Sequence, residues 1–165
     1  MTVPEDIRLV AFDVDGVFTD GRFYLGSDGV ETKAFHTQDG FGIRRLLEAG
    51  VEVAVVSGRT SQAVRLRMAE LGVRHVIEGA TDKVAALDQL LATLQLSPVQ
   101  CVYTGDDVPD LPLLRHVGFS IAVANAVAEV KAVCDYTTRA AGGAGAVREI
   151  CDLVLGRRAM PAPVR

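Results

Sequence analysis

Apolar positions along this chain follow two alternating patterns. Short unbroken runs, Ile7 to Asp13, Val51 to Val56 and Val99 to Thr104, contain too few polar positions for a half-solvated strand. They predict strands buried on both faces. Between them, apolar residues recur at helical spacing. Asp39-Gly40 opens a helix in which Ile43, Leu46 and Leu47 share one face, and Gly50 closes it. Thr60 or Ser61 caps the next, whose core stripe is Val64, Met68 and Leu71 before Gly72. Arg74 to Glu78 reads as a short strand. Thr81-Asp82 then begins a helix carrying Val84, Leu87, Leu90 and Leu91. Gly118 to Ala122 and Asp135 to Thr138 read as extended, Ala126 to Val133 and Ala144 to Leu155 as helical.

One segment departs from the alternation. Arg22 to Leu25 and Val30 to Phe35 flank Gly26-Ser27-Asp28-Gly29, a β-hairpin pattern directly after the first strand. The remainder predicts an α/β fold, a doubly wound and mainly parallel sheet with right-handed crossovers. No repeat, linker or low-complexity block interrupts residues 1–165, so one domain is expected, with 157–165 as a basic, proline-bearing and flexible tail.

Composition removes several classes of function. The 165 residues are 49% hydrophobic and carry a net charge of −4, without the basic footprint of a nucleic-acid binder. No apolar run reaches the roughly 18 residues that span a bilayer, and no basic-then-apolar leader opens the chain. Membrane partners are therefore not expected, and a cytoplasmic location is. Cys101, Cys134 and Cys151 lack metal or redox spacing and read as small hydrophobes in a reducing compartment. His36, His75 and His116 have no ligand spacing. Gly142-Gly143-Ala144-Gly145 misses the dinucleotide spacing and reads as a flexible turn.

The chemistry gathers at strand ends. The first strand ends in Asp13 and Asp15, and Gly16 allows an immediate tight turn. Two anions so close require a cation between them or a shared proton. Two further strands end in Ser57 and in Asp106-Asp107, and Lys83 starts a helix after a strand. In parallel strands these groups converge at one sheet edge, where open α/β folds bind ligands. Together they suit Mg2+-assisted phosphoryl transfer. Asp13 would attack phosphorus as the nucleophile and Asp15 would move protons. Asp13, the Asp15 carbonyl and Asp106 would hold Mg2+, while Ser57 and Lys83 hold the phosphoryl group. Each has a plainer role: Ser57-Gly58-Arg59 as a turn, Lys83 as a solvated lysine, Asp110 as a cap for the short helix after Asp107.

Asp13-Val14-Asp15-Gly16-Val17 with Thr19, then Ser57, Lys83, and Gly105-Asp106-Asp107 with Asp110, resembles the four motifs of the haloacid dehalogenase superfamily, in order and over nearly the whole chain. The resemblance implies the roles just given, with Asp107 and Asp110 supporting them. Only the hairpin and one helix fit between Asp13 and Ser57, and only one helix and one short strand between Ser57 and Lys83, so no cap domain is expected. An open site that must exclude water suggests that neighbouring subunits cover it, through the 22–35 hairpin. Asp13 to Gly21, Lys33-Ala34-Phe35, Asp39-Gly40-Phe41-Gly42-Ile43 and Gly142-Gly143 through Ala146-Val147-Arg148-Glu149 further resemble the 3-deoxy-D-manno-octulosonate 8-phosphate phosphatases. That family implies hydrolysis of a phosphorylated sugar acid to free Kdo, for lipopolysaccharide, in a homotetramer. It also implies substrate contacts at His36, Thr37, Gln38, Asp39, Gly40, Arg44, Arg59, Arg67 and Lys83. Phosphatases of nine-carbon, sialic-type sugar acids share the capless design and remain the rival. A non-enzymatic phospho-receiver takes its phosphoryl group on a later strand, whereas the Asp pair here lies on the first. An idle scaffold has no need of the full catalytic set.

Overall fold

The computed structural model describes residues 3–156, so the expected tail at 157–165 lies outside the described residues. Six parallel strands form the main sheet: β1 (Leu9–Phe12), β4 (Glu52–Val56), β5 (His75–Ile77), β6 (Cys101–Gly105), β7 (Phe119–Ala122) and β8 (Tyr136–Thr137). Their order is β5-β4-β1-β6-β7-β8. The apolar runs account for the centre: every residue of β1 and β6 is buried, as both faces are covered by helices. The antiparallel pair β2 (Tyr24–Leu25) and β3 (Glu31–Thr32) forms a separate small ribbon.

The helices are α1 (Thr37–Glu48), α2 (Gln62–Leu71), α3 (Lys83–Leu94), α4 (Leu111–Leu114), α5 (Ala128–Lys131) and α6 (Ala146–Leu155). Helix α1 packs on α6 and α2, and α3 on α4. The chain leaves β1 toward β4 and β5, then returns to place β6 on the other side of β1. This reversal is the topological switch, and it opens a crevice beyond the carboxyl ends of β1 and β6.

Several boundaries differ from the sequence expectation. Helix α1 begins at Thr37, because the His36 side chain caps it by accepting from the Gln38 N–H at 3.3 Å. Ser61 stands at the N-cap of α2, yet its hydroxyl is spent on Glu31 of the hairpin, at 2.8 Å. Gly142 and Gly143 form no loose turn. A Cβ at Gly142 would overlap the Gly16 carbonyl oxygen, so this loop is pressed against the turn after β1. Cys101 and Cys151 are buried and Cys134 is half-buried, all three free, in keeping with small core residues. His75 pairs with Glu52 and His116 with Asp88.

Candidate active site

Strand β1 delivers Asp13, whose own N–H is tied to the Thr104 carbonyl at 2.9 Å, so the carboxylate leaves the sheet in a fixed direction. The chain then turns sharply. Phe18 N–H closes on the Val14 carbonyl, and the buried Thr19 hydroxyl oxygen accepts from Gly16 and Gly21. Phe12 and Phe18 meet edge to face at 5.3 Å and pin the turn to the core. Gly16 adopts φ +88°, and a Cβ there would overlap the Asp106 carboxylate. Only glycine lets the two halves of the site approach so closely.

A cavity of about 290 Å3 opens here, and Asp13, Asp15, Ser57, Arg59, Lys83 and Asp106 all line it, together with Asp107 and Asp110. Asp13 is 9% exposed. Lys83, the first residue of α3, lies 3.0 Å from Asp13 and 2.7 Å from Asp110. Tyr103, wholly buried on β6, donates its hydroxyl to the same Asp110 oxygen at 2.7 Å. The other Asp110 oxygen accepts the Asp106 and Asp107 N–H groups at 3.0 and 3.3 Å. Asp110 thus closes the turn after β6 and anchors Lys83 with one side chain. It does more than cap a helix.

Electrostatics follows from these distances. Burial, reinforced by the neighbouring Asp110 carboxylate, raises the Asp13 pKa to about 6. Burial and the Asp13, Asp110 and Asp107 carboxylates raise Asp106 to about 7. Burial works against the Lys83 ammonium, but Asp13 and Asp110 outweigh it and hold its pKa above the ordinary lysine value. Oxygens of Asp13, Asp106 and Asp110 lie within 4.8 Å of one another. A half-buried, oxygen-only donor set with surplus negative charge fits a hard divalent cation such as Mg2+. Asp110 joins Asp13 and Asp106 in this cluster; the Asp15 side chain is engaged elsewhere.

Asp15 is paired with Lys33, and its other oxygen lies 3.7 Å from Arg59 Nε. The Lys33 side chain is fully buried and also lies 3.5 Å from Glu31. Arg59 donates to Glu31 at 2.8 Å and stacks over the Phe23 ring at 4.3 Å. The hairpin therefore backs Asp15 and Arg59, two residues of the cavity lining, with Phe23, Glu31 and Lys33. Ser57 is buried, its N–H bonded to the Ile77 carbonyl, and its Oγ accepts from Arg59 N–H.

The other expected substrate residues lie away from this cavity. Thr37, Gln38, Asp39 and Gly40 fall in the first turns of α1, behind the His36 cap, and none lines the cavity. Asp39 is 1% exposed and accepts the Arg148 N–H at 2.8 Å, which ties α1 to the start of α6. Burial raises its pKa. Arg44 reaches the Glu70 carbonyl and Arg67 the Glu70 carboxylate, with Arg67 lying over Gly40.

Comparison with known proteins decides the family. The profile of the haloacid dehalogenase-like hydrolases matches residues 74–150. The 3-deoxy-D-manno-octulosonate 8-phosphate phosphatase of Escherichia coli is 46% identical over 155 residues, 94% of this chain and 82% of that protein. The chain belongs to the 3-deoxy-D-manno-octulosonate 8-phosphate phosphatase family of haloacid dehalogenase-like hydrolases. Solved phosphatases of this family superpose closely. The Yersinia pestis enzyme has a TM-score of 0.92 at 45% identity, covering 93% of this chain and 83% of its own. The Moraxella catarrhalis enzyme, solved with magnesium ion, phosphate ion and KDO, has a TM-score of 0.91 at 45% identity, covering 93% and 88%. Among the described residues no helix is long and apolar enough to cross a membrane.

Sequence reasoning missed Lys33 and Tyr103 as neighbours of the site, and Asn125, whose side-chain amide donates to the Gly16 carbonyl. Lys33 lay in a stretch already matched to the family, but nothing local marks a lysine as buried. Tyr103 sits inside the apolar run that ends at Thr104, directly before Gly105 and Asp106, and its hydroxyl was the available signal.

Proposed function

We propose that this chain hydrolyses 3-deoxy-D-manno-octulosonate 8-phosphate to the free sugar acid and phosphate, with Mg2+ as cofactor. The observation that carries the reading is the meeting of Asp13, Lys83 and Asp106 in one cavity, from three separate parts of the sequence. Asp13 attacks phosphorus and becomes an aspartyl-phosphate, which divides one difficult displacement into two. Asp15 protonates the departing sugar oxygen and later takes a proton from the attacking water. Ser57 and Lys83 bind the phosphoryl oxygens as charge builds on them. Asp13, Asp106 and the Asp15 carbonyl would hold Mg2+, with Asp110 and Asp107 shaping the pocket. When bound, the ion offsets the repulsion between carboxylate and phosphate.

Arg59 lies on the hairpin side, half-exposed, where its fork suits the sugar carboxylate. His36 to Gly40, Arg44 and Arg67 remain in this proposal as outer substrate contacts. The chain works as a single cytoplasmic phosphatase domain in a homotetramer, with neighbouring copies covering the open site. Tyr24, Leu25 and Val30, 70%, 67% and 60% exposed on the hairpin, support such a contact surface. A mass in solution equal to one chain, at full activity, would refute the cover.

Phosphate release from purified protein with Mg2+ tests the substrate. Preference for the eight-carbon sugar-acid phosphate over nine-carbon, sialic-type phosphates is expected. The reverse preference would move the chain to the rival class, and release from neither would remove the phosphatase reading.

A further inference from the structure

The loop after β7 grips both halves of the site, although none of its residues lines the cavity. Its backbone holds one half, because Val127 N–H donates to the Asp106 carbonyl at 2.9 Å. Its side chain holds the other. Asn125 Nδ2 donates to the Gly16 carbonyl at 3.0 Å, on the turn that carries Asp13 and Asp15 into the cavity. The same amide accepts Gly142 N–H on Oδ1 at 2.6 Å, and Gly143 N–H reaches the Val17 carbonyl at 3.2 Å. The glycine loop is anchored in turn on α6, where Glu149 accepts the Arg139 and Ala140 N–H groups, each at 3.0 Å.

These three segments pack without slack. A Cβ on Gly142 would overlap the Gly16 carbonyl, and a Cβ on Gly16 would overlap the Asp106 carboxylate. Asn125 is an exposed residue, yet both ends of its amide are committed to backbone groups 109 and 17 residues away. Solubility does not require that arrangement. It ties the turn after β1 to the loop that also holds Asp106.

We propose that Asn125 is a positioning residue for the metal site, fixing the distance between the Asp13–Asp15 turn and Asp106. The proposal rests on the Mg2+ reading above. Mg2+ demands near-ideal octahedral geometry and tolerates misplaced carboxylates poorly. Loss of a partner behind the metal ligands commonly costs about 10- to 100-fold in metal affinity.

The test is Mg2+ binding by titration calorimetry, without substrate, on Asn125→Ala and Asn125→Ser. Both are expected to fold, with metal-free melting temperatures within about 3 °C of the native chain, as for a small surface change. Mg2+ affinity should fall about tenfold or more, and kcat should recover in part at high Mg2+ while KM moves little. A folded variant with Mg2+ affinity within about twofold of native would overturn the proposal, since positioning losses are larger. Loss of fold in both variants would also overturn it and assign Asn125 to the fold alone. Asp106→Asn, measured beside them, separates the two readings. If Asp106→Asn binds Mg2+ as tightly as the native chain, the metal reading fails. If it loses binding and the Asn125 variants do not, only the role of Asn125 fails.

Discussion

On one wall of the cavity, Asp13, Asp106 and Asp110 crowd around Lys83 at the ends of β1 and β6. On the other, Asp15 and Arg59 are backed by Lys33 and Glu31 at the base of the hairpin. The second cluster balances, two carboxylates against two cations, and needs nothing further. The first does not balance, and burial together with that surplus holds Asp13 and Asp106 near 6 and 7 instead of the ordinary carboxylate range. Charge left over in a half-buried cleft calls for a cation or a proton. The same fold thus builds an acidic wall with charge left over for an ion and, beside it, a cluster whose charges balance among its own side chains. Their supports differ too. The acidic wall stands on central strands and buried side chains, whereas the balanced cluster takes Glu31 and Lys33 from a ribbon of two-residue strands.

Asp13→Asn breaks the contrast most severely. Removing a covalent nucleophile should lower turnover by about four orders of magnitude with Mg2+ present. Phosphate release and a circular dichroism spectrum together check it; activity near native would withdraw the nucleophile from Asp13. Asp106→Asn attacks the same wall at its surplus charge. The Mg2+ concentration for half-activation should rise about 10- to 100-fold, with activity recovering as Mg2+ is raised. Stripping the native chain with a chelator should abolish activity, and Mg2+ should restore it.

Arg59→Ala probes the other wall. Loss of charge-assisted hydrogen bonds is worth about 1.5–3 kcal/mol, so KM for the sugar-acid phosphate should rise about tenfold or more. KM for an aryl phosphate, which has no carboxylate, should change far less. Equal effects on both substrates would remove Arg59 from recognition.

A pH series gives the smallest effect and the sharpest contrast. In the metal-free chain the raised pKa values of Asp13 and Asp106 mean that protons stay bound up to about pH 6 to 7. That protonation stabilises the metal-free fold fully below the ordinary carboxylate range, and the benefit is lost as pH rises through 6 to 7. Mg2+ must displace the same protons. The Mg2+-induced rise in melting temperature should therefore grow from about pH 5.5 to about pH 8. Arg59→Ala should show the same growth, because the balanced wall takes no part in it.

The acidic wall was legible in the sequence, and so were Asp15 and Arg59 of the second cluster, but their partners Glu31 and Lys33 were not. Asp13, Asp106 and Ser57 each follow a run that can only be a buried strand, so parallel topology alone brings them together. The hairpin gave runs of four and six residues, yet only Tyr24–Leu25 and Glu31–Thr32 pair, because an isolated ribbon has no neighbour to extend its ladder. The partner that marks Lys33 as buried is remote: Asp15 lies 18 residues away, with Glu31 as a second carboxylate beside it. Gly142 read as flexible because its partner, Gly16, is remote in sequence, and close backbone approach leaves no periodic signature. Asp39 had two roles open to it, and its burial against the start of α6 is a tertiary fact.

The central claim is that the surplus-charge wall performs covalent phosphoryl transfer through Asp13. Borohydride reduces an aspartyl-phosphate to homoserine, so quenching a reaction mixture with it and mapping peptides by mass spectrometry reads the nucleophile directly. Homoserine at position 13, formed only when both Mg2+ and the sugar-acid phosphate are present, is the predicted result. Homoserine at another carboxylate, or turnover with Asp13 left unmodified throughout, would contradict it.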